Sequence, residues 1–401
     1  MAQRRAGASF CADRRREFLS LELKDLLPRI HSRTIIMIHR FAFPTTIHFG
    51  AGARALVAEH LKAQGVKRPL IVTDRGIAPL PMLNGFIAGS PGARRRRSIP
   101  RSGAIPSAAR STRASPRTRR IAPTPVIGLG GGAALDVAKA VALMAVHPGE
   151  VLEYAWDHPQ VRAIERELPY FIALPTTAGT GSEVGRSSVI SDDATHIKKI
   201  IFSPALLAKA VFADPELTLD LPAHITAATG MDALTHNVES YLSPAYHPLC
   251  DGIAPRRARA SPRDRCGRRC ASRTTSRPRS DMMMSSMMGA IAFQKDLGAV
   301  HSCAHALSTV ADLHHGLANG IMIDHVMRFN MPSAIAKMAE LAHVVGAAVP
   351  GAPARGERRG LHRLAGDAQG RSGDTGDAVR VYAQAAGHRG RHRRAGRGGD
   401  Q

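Results

Sequence analysis

Residues 124–145 read TPVIGLGGGAALDVAKAVALMA, and the reading of this stretch decides the fold class. A short apolar run, VIGLG, meets a cluster of glycines and then a long, alanine-rich, apolar segment without proline. That is the grammar of a buried strand, a tight turn and a helix. Gly128, Gly130, Gly131 and Gly132 let the backbone come close to a bound anion, and the following helix offers unpaired N–H groups and its positive dipole end to it. A turn so placed suits a pyrophosphate. The spacing is not GxGxxG, so its position between strand and helix carries the reading.

Upstream, residues 41–76, FAFPTTIHFGAGARALVAEHLKAQGVKRPLIVTDRG, repeat the grammar: an extended segment, a glycine turn, an amphipathic helix and a buried strand. The strand ends in Asp74, whose carboxylate can accept hydrogen bonds from a ribose diol or cap the next turn; both readings stand. Downstream, the strand YFIALP runs into Thr176, Thr177, Ala178, Gly179, Thr180, Gly181, Ser182 and Glu183. Small residues and hydroxyls at a strand's carboxyl end suit a phosphate or nicotinamide, or form a plain turn. After DPELTLDLP the pattern becomes almost continuously helical, which puts a domain boundary near residue 215. The expectation is a Rossmann-like α/β domain over 37–215 and an all-α domain over 216–350.

The helical half holds two clusters of metal-type donors. Asp232 and His236 in TAATGMDALTHNVESYL, and His301 and His305 in GAVHSCAHALS, are each spaced i, i+4, so each pair shares one helix face. Ten residues after His305, within HHGLANG, His315 stands in front of a glycine, and His314 before it is a competing donor. Asp232, His236, His301 and His315 form a set suited to Fe(II), Zn(II), Co(II) or Mn(II). A single histidine at helical spacing is more often a hydrogen-bonded residue, so the weight lies in the combination. Met282, Met283, Met284, Met287 and Met288 fall mostly on one helix face and read as core packing.

The formal charge of +23 on 401 residues points at first to nucleic acid. Its distribution points away. Four arginine-rich segments, 1–40, 86–122, 255–280 and 351–401, hold 40 of the 55 Lys and Arg but 10 of the 32 Asp and Glu, which leaves the rest of the chain acidic. Few aromatics accompany those arginines, and no recognition motif does. The five cysteines are dispersed without a CxxC pair, which fits a reducing compartment. No apolar run is long enough for a membrane span, and the start shows no signal peptide, so a cytoplasmic location is expected.

FGAGA with VTD, GLGGGAALDVAK, LPTTAGTGSEV, DPELTLDLP, TAATGMDALTHNVES, GAVHSCAHALS and HHGLANGI, in this order, resemble the iron-containing (group III) alcohol dehydrogenases. The resemblance covers about 245 of the 401 residues. It implies an N-terminal Rossmann-like dinucleotide-binding domain and a C-terminal all-helical metal-binding domain, in the dehydroquinate synthase-like arrangement. It further implies NAD and Fe2+, with Zn2+ accepted by the same donors. Asp232, His236, His301 and His315 would be the metal ligands and His305 the histidine of substrate and proton movement. Asp74, Gly130, Gly131, Gly132, Asp136, Thr176 and Thr177 would line the cofactor, with Asp74 favouring NAD over NADP. The family's glycine turn usually continues with serine where this chain has Ala133, which removes one hydroxyl donor.

The implied reaction is reversible hydride transfer between a small primary or secondary alcohol and NAD, with the metal polarising the substrate oxygen. A homo-oligomer is compatible with the resemblance; a nucleic-acid or membrane partner is not expected. A maleylacetate reductase type, which works without the metal, is the rival enzyme, and the full Asp/His set speaks against it. The windows 86–122 and 255–280 interrupt the family pattern while preserving its spacing. Compensated reading-frame shifts would produce that, with an uncompensated shift behind the tail 351–401 and a non-native extension at 1–36. In that case the literal chain would be a damaged, non-functional product. The remaining alternative is an arginine-rich nucleic-acid binder.

Overall fold

The computed structural model describes residues 39–42, 45–89, 94–95, 124–195, 197–258 and 276–344. The segments 1–36 and 351–401, with most of 86–122 and 255–280, therefore lie outside the described residues, and so do the expectations made for them. The described residues form nine strands, β1 (His39–Ala42), β2 (Thr46–Phe49), β3 (Leu70–Thr73), β4 (Arg94–Arg95), β5 (Val126–Gly130), β6 (Phe171–Pro175), β7 (Ser187–Ser191), β8 (Lys198–Phe202) and β9 (Ala210–Ala213). Seven of them form one sheet in the order β1-β2-β9-β6-β5-β3-β4, while β7 and β8 make a separate antiparallel pair. All neighbours in the large sheet are parallel except β1 and β2.

The central strands are buried on both faces, as parallel strands covered by helices must be. Alternation divides their side chains between two cores. Leu70, Val72, Val126, Phe171, Ala173 and Val211 pack with Leu135, Val137 and Val141 of helix α3 (Gly132–Val146) on one face. Ile71, Ile127, Leu129, Ile172, Leu174 and Phe212 pack on the other face with Val57 and Leu61 of α1 (Val57–Ala63) and with Leu83 and Phe86 of α2 (Pro81–Ala88). Each Val, Leu, Ile or Phe among them, fully buried, contributes about 1.5–3 kcal/mol before entropy is counted.

After β3 the chain runs outward to β4, and after β5 it runs the opposite way to β6. The carboxyl ends of β3 and β5 thus flank a topological switch point, where α/β sheets open a ligand crevice. One detail departs from the sequence pattern. The window 86–122 was expected to interrupt the pattern, yet α2 continues to Ala88, and Arg94 and Arg95 pair with Leu70 and Ile71 at the sheet edge.

From Ala223 to Val344 the described residues are helical: α4 (Ala223–Leu242), α5 (Pro248–Ala258), α6 (Ser276–Ala292), α7 (Ala299–Ala311) and α8 (His315–Val344). Met282, Met283 and Met287 are buried, and Met283 and Met287 join the core beneath the sheet, so the methionine cluster packs the interface with the α/β half. No helix among the described residues is long and apolar enough to cross a membrane.

Candidate metal and dinucleotide site

The two halves of the site meet at the carboxyl ends of β3, β5 and β6. Gly130 closes β5 at φ 155°, where a Cβ would lie 2.5 Å from that of Ala134 and 3.2 Å from Asp74 Oδ2. Only glycine is accommodated there. A Cβ on Gly132 would lie 2.6 Å from Thr180, so the glycine turn is pressed against the 176–180 loop. Thr176 donates its N–H to Gly130 O at 3.0 Å, and Thr177 covers Gly131. Asp74, Gly130, Gly131, Gly132, Thr176 and Thr177 are therefore brought together at the crevice, at the N-terminus of α3. Asp74 Oδ1 also accepts the Ile77 N–H at 2.9 Å, so the capping reading of this residue and its place beside the glycine turn both hold.

Asp136 is directed elsewhere. Its Oδ1 accepts the Ser182 hydroxyl at 2.7 Å and lies 3.8 Å from Lys139 Nζ, beneath the loop. Lys139, fully buried, donates to the carbonyls of Ser182, Gly185 and Ser187. Burial lowers its pKa, opposed by Asp136 and Glu183.

Glu183 is buried as well, and its Oε1 has no hydrogen-bond partner. Burial pushes its pKa from 4.5 to about 7 against backbone hydrogen bonding and Lys139. The folded state then holds a proton that the unfolded state gives up, so stability falls as pH rises from about 4.5 to 7. The penalty reaches about 3 kcal/mol above pH 7. Glu183→Gln is expected to flatten this part of the curve and to raise the urea midpoint at pH 8 more than at pH 5. An identical shift at both pH values counts against it.

On the helical side, α4 carries Asp232 and His236, α7 carries His301 and His305, and α8 begins at His315. Three ring nitrogens face one oxygen: Asp232 Oδ1 lies 3.7 Å from His236 Nε2, 3.5 Å from His301 Nε2 and 3.6 Å from His315 Nε2. Asp232, His236 and His301 are buried and present donor atoms within 4.8 Å of one another; His315 completes the group through its contact with Asp232. The outer nitrogens are held from behind. His236 Nδ1 lies 3.2 Å from Gly179 O, and His301 Nδ1 lies 2.6 Å from Glu239 Oε2. With Nδ1 protonated toward those acceptors, both Nε2 lone pairs point inward, the form a metal needs. His315 Nδ1 is buried without a hydrogen-bond partner, and so is His314 Nδ1. His315, with its Nε2 3.6 Å from Asp232 Oδ1, is the member of that pair aimed at the carboxylate.

Burial opposes ionisation of Asp232, but His236, His315 and His301 hold its pKa well below the carboxylate range. Burial also opposes charge on His301, yet Asp232 and Glu239 raise its pKa to about 9. His236 and His305 are lowered to about 4, chiefly by burial. The His305 ring stands 5.0 Å from that of His315 and 6.5 Å from that of His301. Lys198, on β8, is lowered to about 8 by burial against the pull of Asp232, and its charge also acts on His305 and His315. Glu239, Lys198 and Asn319 were not picked out from the sequence. Glu239 had a signal available, since it stands one turn past His236 at i+3 on the ligand helix.

A carboxylate and three imidazoles converging beside an α/β crevice define a metal-site dehydrogenase scaffold, and the comparisons with known proteins agree. The iron-containing alcohol dehydrogenase profile matches residues 44–215, and the C-terminal profile of the Fe-containing alcohol dehydrogenase family matches 226–364. The chain is 38% identical to a 4-hydroxybutyrate dehydrogenase of Cupriavidus necator, over 71% of this chain and 75% of that protein. It is 32% identical to a 1,3-propanediol dehydrogenase of Klebsiella pneumoniae, over 78% and 80%. Among solved structures, a 1,3-propanediol oxidoreductase superposes with a TM-score of 0.73 at 29% identity, covering 83% of this chain and 87% of that one. A sulfoacetaldehyde reductase from Bifidobacterium kashiwanohense in complex with NAD+ gives 0.69 at 27%, covering 82% and 86%. The chain belongs to the iron-containing alcohol dehydrogenase family, and is an oxidoreductase of that family.

Proposed function

We propose that the chain is a metal-dependent, NAD-linked dehydrogenase that interconverts a small primary or secondary alcohol with its aldehyde or ketone. The observation that carries this reading is the convergence of three imidazole Nε2 atoms on Asp232 Oδ1. The donor set fits a divalent metal: one hard oxygen and three borderline nitrogens, two of them on rings oriented by outer hydrogen bonds. Asp232, His236, His301 and His315 would hold Fe2+, and the same donors accept Zn2+. When bound, the metal supplies Lewis-acid polarisation of the substrate oxygen.

The chain's own residues do the rest. Gly130, Gly131 and Gly132 and the N-terminus of α3 receive the pyrophosphate, and Asp74 accepts from the ribose diol, where a carboxylate repels a 2′-phosphate and so favours NAD. Thr176 and Thr177 line the nicotinamide side, and Asp136 supports their loop through Ser182. His305, neutral at pH 7, is the proton acceptor beside the cluster. The division near residue 215 separates the two binding halves, and the setting is cytoplasmic. The names of the relatives, a hydroxy acid dehydrogenase and a propanediol dehydrogenase, support a small alcohol as substrate.

The test is to purify the full chain, load it with Fe(II) under anaerobic conditions, and follow NADH oxidation with short aldehydes, with and without chelator. The expected result is about one metal per chain, chelator-sensitive turnover and preference for NADH over NADPH. Turnover indifferent to the chelator would assign the maleylacetate reductase type instead, and absence of bound metal would overturn the reading.

A further inference from the structure

We propose that Asn319 is a positioning residue of this metal centre: its side-chain amide holds the Asp232 carboxylate turned toward the three histidines. The inference rests on the metal-site reading above. Asn319 is fully buried and lies one helical turn after His315 on α8, so its amide and that ring share a face. Its Nδ2 donates to Asp232 Oδ1 at 2.8 Å, and stands 3.4 Å from His301 Nε2 and 3.5 Å from His315 Nε2. The amide nitrogen is thus bonded to Asp232 and stands beside two of the three histidines.

The other end of the same side chain makes the assignment sharper. Asn319 Oδ1 is buried without a hydrogen-bond partner. An unsatisfied buried acceptor costs about 1–3 kcal/mol, and a leucine of similar volume would avoid that cost. A buried amide satisfied at one end only, and at that end by the metal-site carboxylate, fits a role at the site better than a role in packing. The placement is built into the helix crossing. A Cβ on Gly316 would lie 2.0 Å from Ala228 O, so the start of α8 runs hard against α4, the helix that carries Asp232. That close approach brings Asn319 within reach of a carboxylate 87 positions away in sequence.

The outer hydrogen bonds divide accordingly. Gly179 O orients His236, Glu239 orients His301, and Asn319 orients Asp232. Loss of an outer partner typically weakens metal affinity by about 10–100-fold. The test uses the full chain and Zn(II) alone, with a competing chelator to measure affinity and no turnover assay. Asn319→Ala and Asn319→Leu are both expected to weaken Zn(II) binding by about 10–100-fold, with metal-free thermal midpoints close to that of the parent. Leucine restores the volume but not the donor, so recovery of parental affinity in Asn319→Leu would assign the residue to packing and overturn the proposal. Parental affinity in Asn319→Ala would do the same. Should neither variant be soluble, Asn319→Ser retains a shorter donor; weakened binding supports the proposal and unchanged binding overturns it. A parent chain that binds no Zn(II) overturns both this inference and the functional reading, whereas failure in the variants alone leaves that reading standing.

Discussion

Asp232→Ala is expected to abolish stoichiometric metal binding and to lower kcat/KM by at least about 10³-fold, a loss of about 4 kcal/mol of transition-state stabilisation. The size follows from geometry. Asp232 Oδ1 is the one atom on which all three Nε2 atoms converge, so its removal takes away the charge and the centre of the cluster together. The buried histidines would also change state. Asp232 raises the pKa of His301, His236 and His315 against burial. Without it His301 keeps Glu239 as its only carboxylate partner, and that carboxylate faces Nδ1, so no anionic donor is left among the Nε2 atoms to balance a dication. Metal content by elemental analysis and steady-state kinetics on the same preparation check this. A variant that keeps about one metal per chain and parental turnover would remove Asp232 from the centre.

The clusters from which this prediction comes were legible in the sequence because helical spacing is local. Asp232 and His236, and His301 and His305, share a face by arithmetic, and the glycine turn between strand and helix is local too. What joins the clusters was not legible. The 3.5 Å approach of His301 to Asp232 depends on how α7 and α8 pack against α4, a matter of side-chain volume and of Gly316 meeting Ala228. Asn319 was passed over because an asparagine in a helix has no spacing signature, and its partner is distant in the chain. Asp136 shows the opposite limit. The motif puts it beside the glycine turn, but its helix register aims the carboxylate at Ser182 and Lys139, under the loop. The arginine-rich segments lie mostly outside the described residues, and among the described ones the buried cations include Lys139, Lys295 and Arg279, each of them paired.

Lys139→Met is the stability change expected to be largest. Lys139 Nζ donates to three carbonyls, Ser182 O at 2.7 Å, Gly185 O at 3.1 Å and Ser187 O at 2.7 Å, and to Ser182 Oγ at 2.9 Å. It thereby straps the segment from the threonine loop to β7 onto α3. Methionine preserves most of the apolar stem but no donor, which takes the lysine hydrogen bonds from three carbonyls, of which Ser182 O keeps the Gly185 N–H, and leaves the buried Asp136 and Glu183 without their cation. Breaking a buried pair of this kind costs about 3–5 kcal/mol. Urea unfolding at pH 7 would read this as a lowered midpoint, and NAD affinity should fall with it, because the same loop packs on Gly131 and Gly132. The origin of the loss can be separated by a double-mutant cycle with Glu183→Gln. Once Glu183 is neutral, removing the lysine strands one fewer carboxylate, so the double variant should be more stable than the sum of the single changes predicts. Strict additivity would mean that the lysine acts through its carbonyl hydrogen bonds alone, and an unchanged midpoint in Lys139→Met would show that the loop is held by its packing against α3 and α6 without the strap.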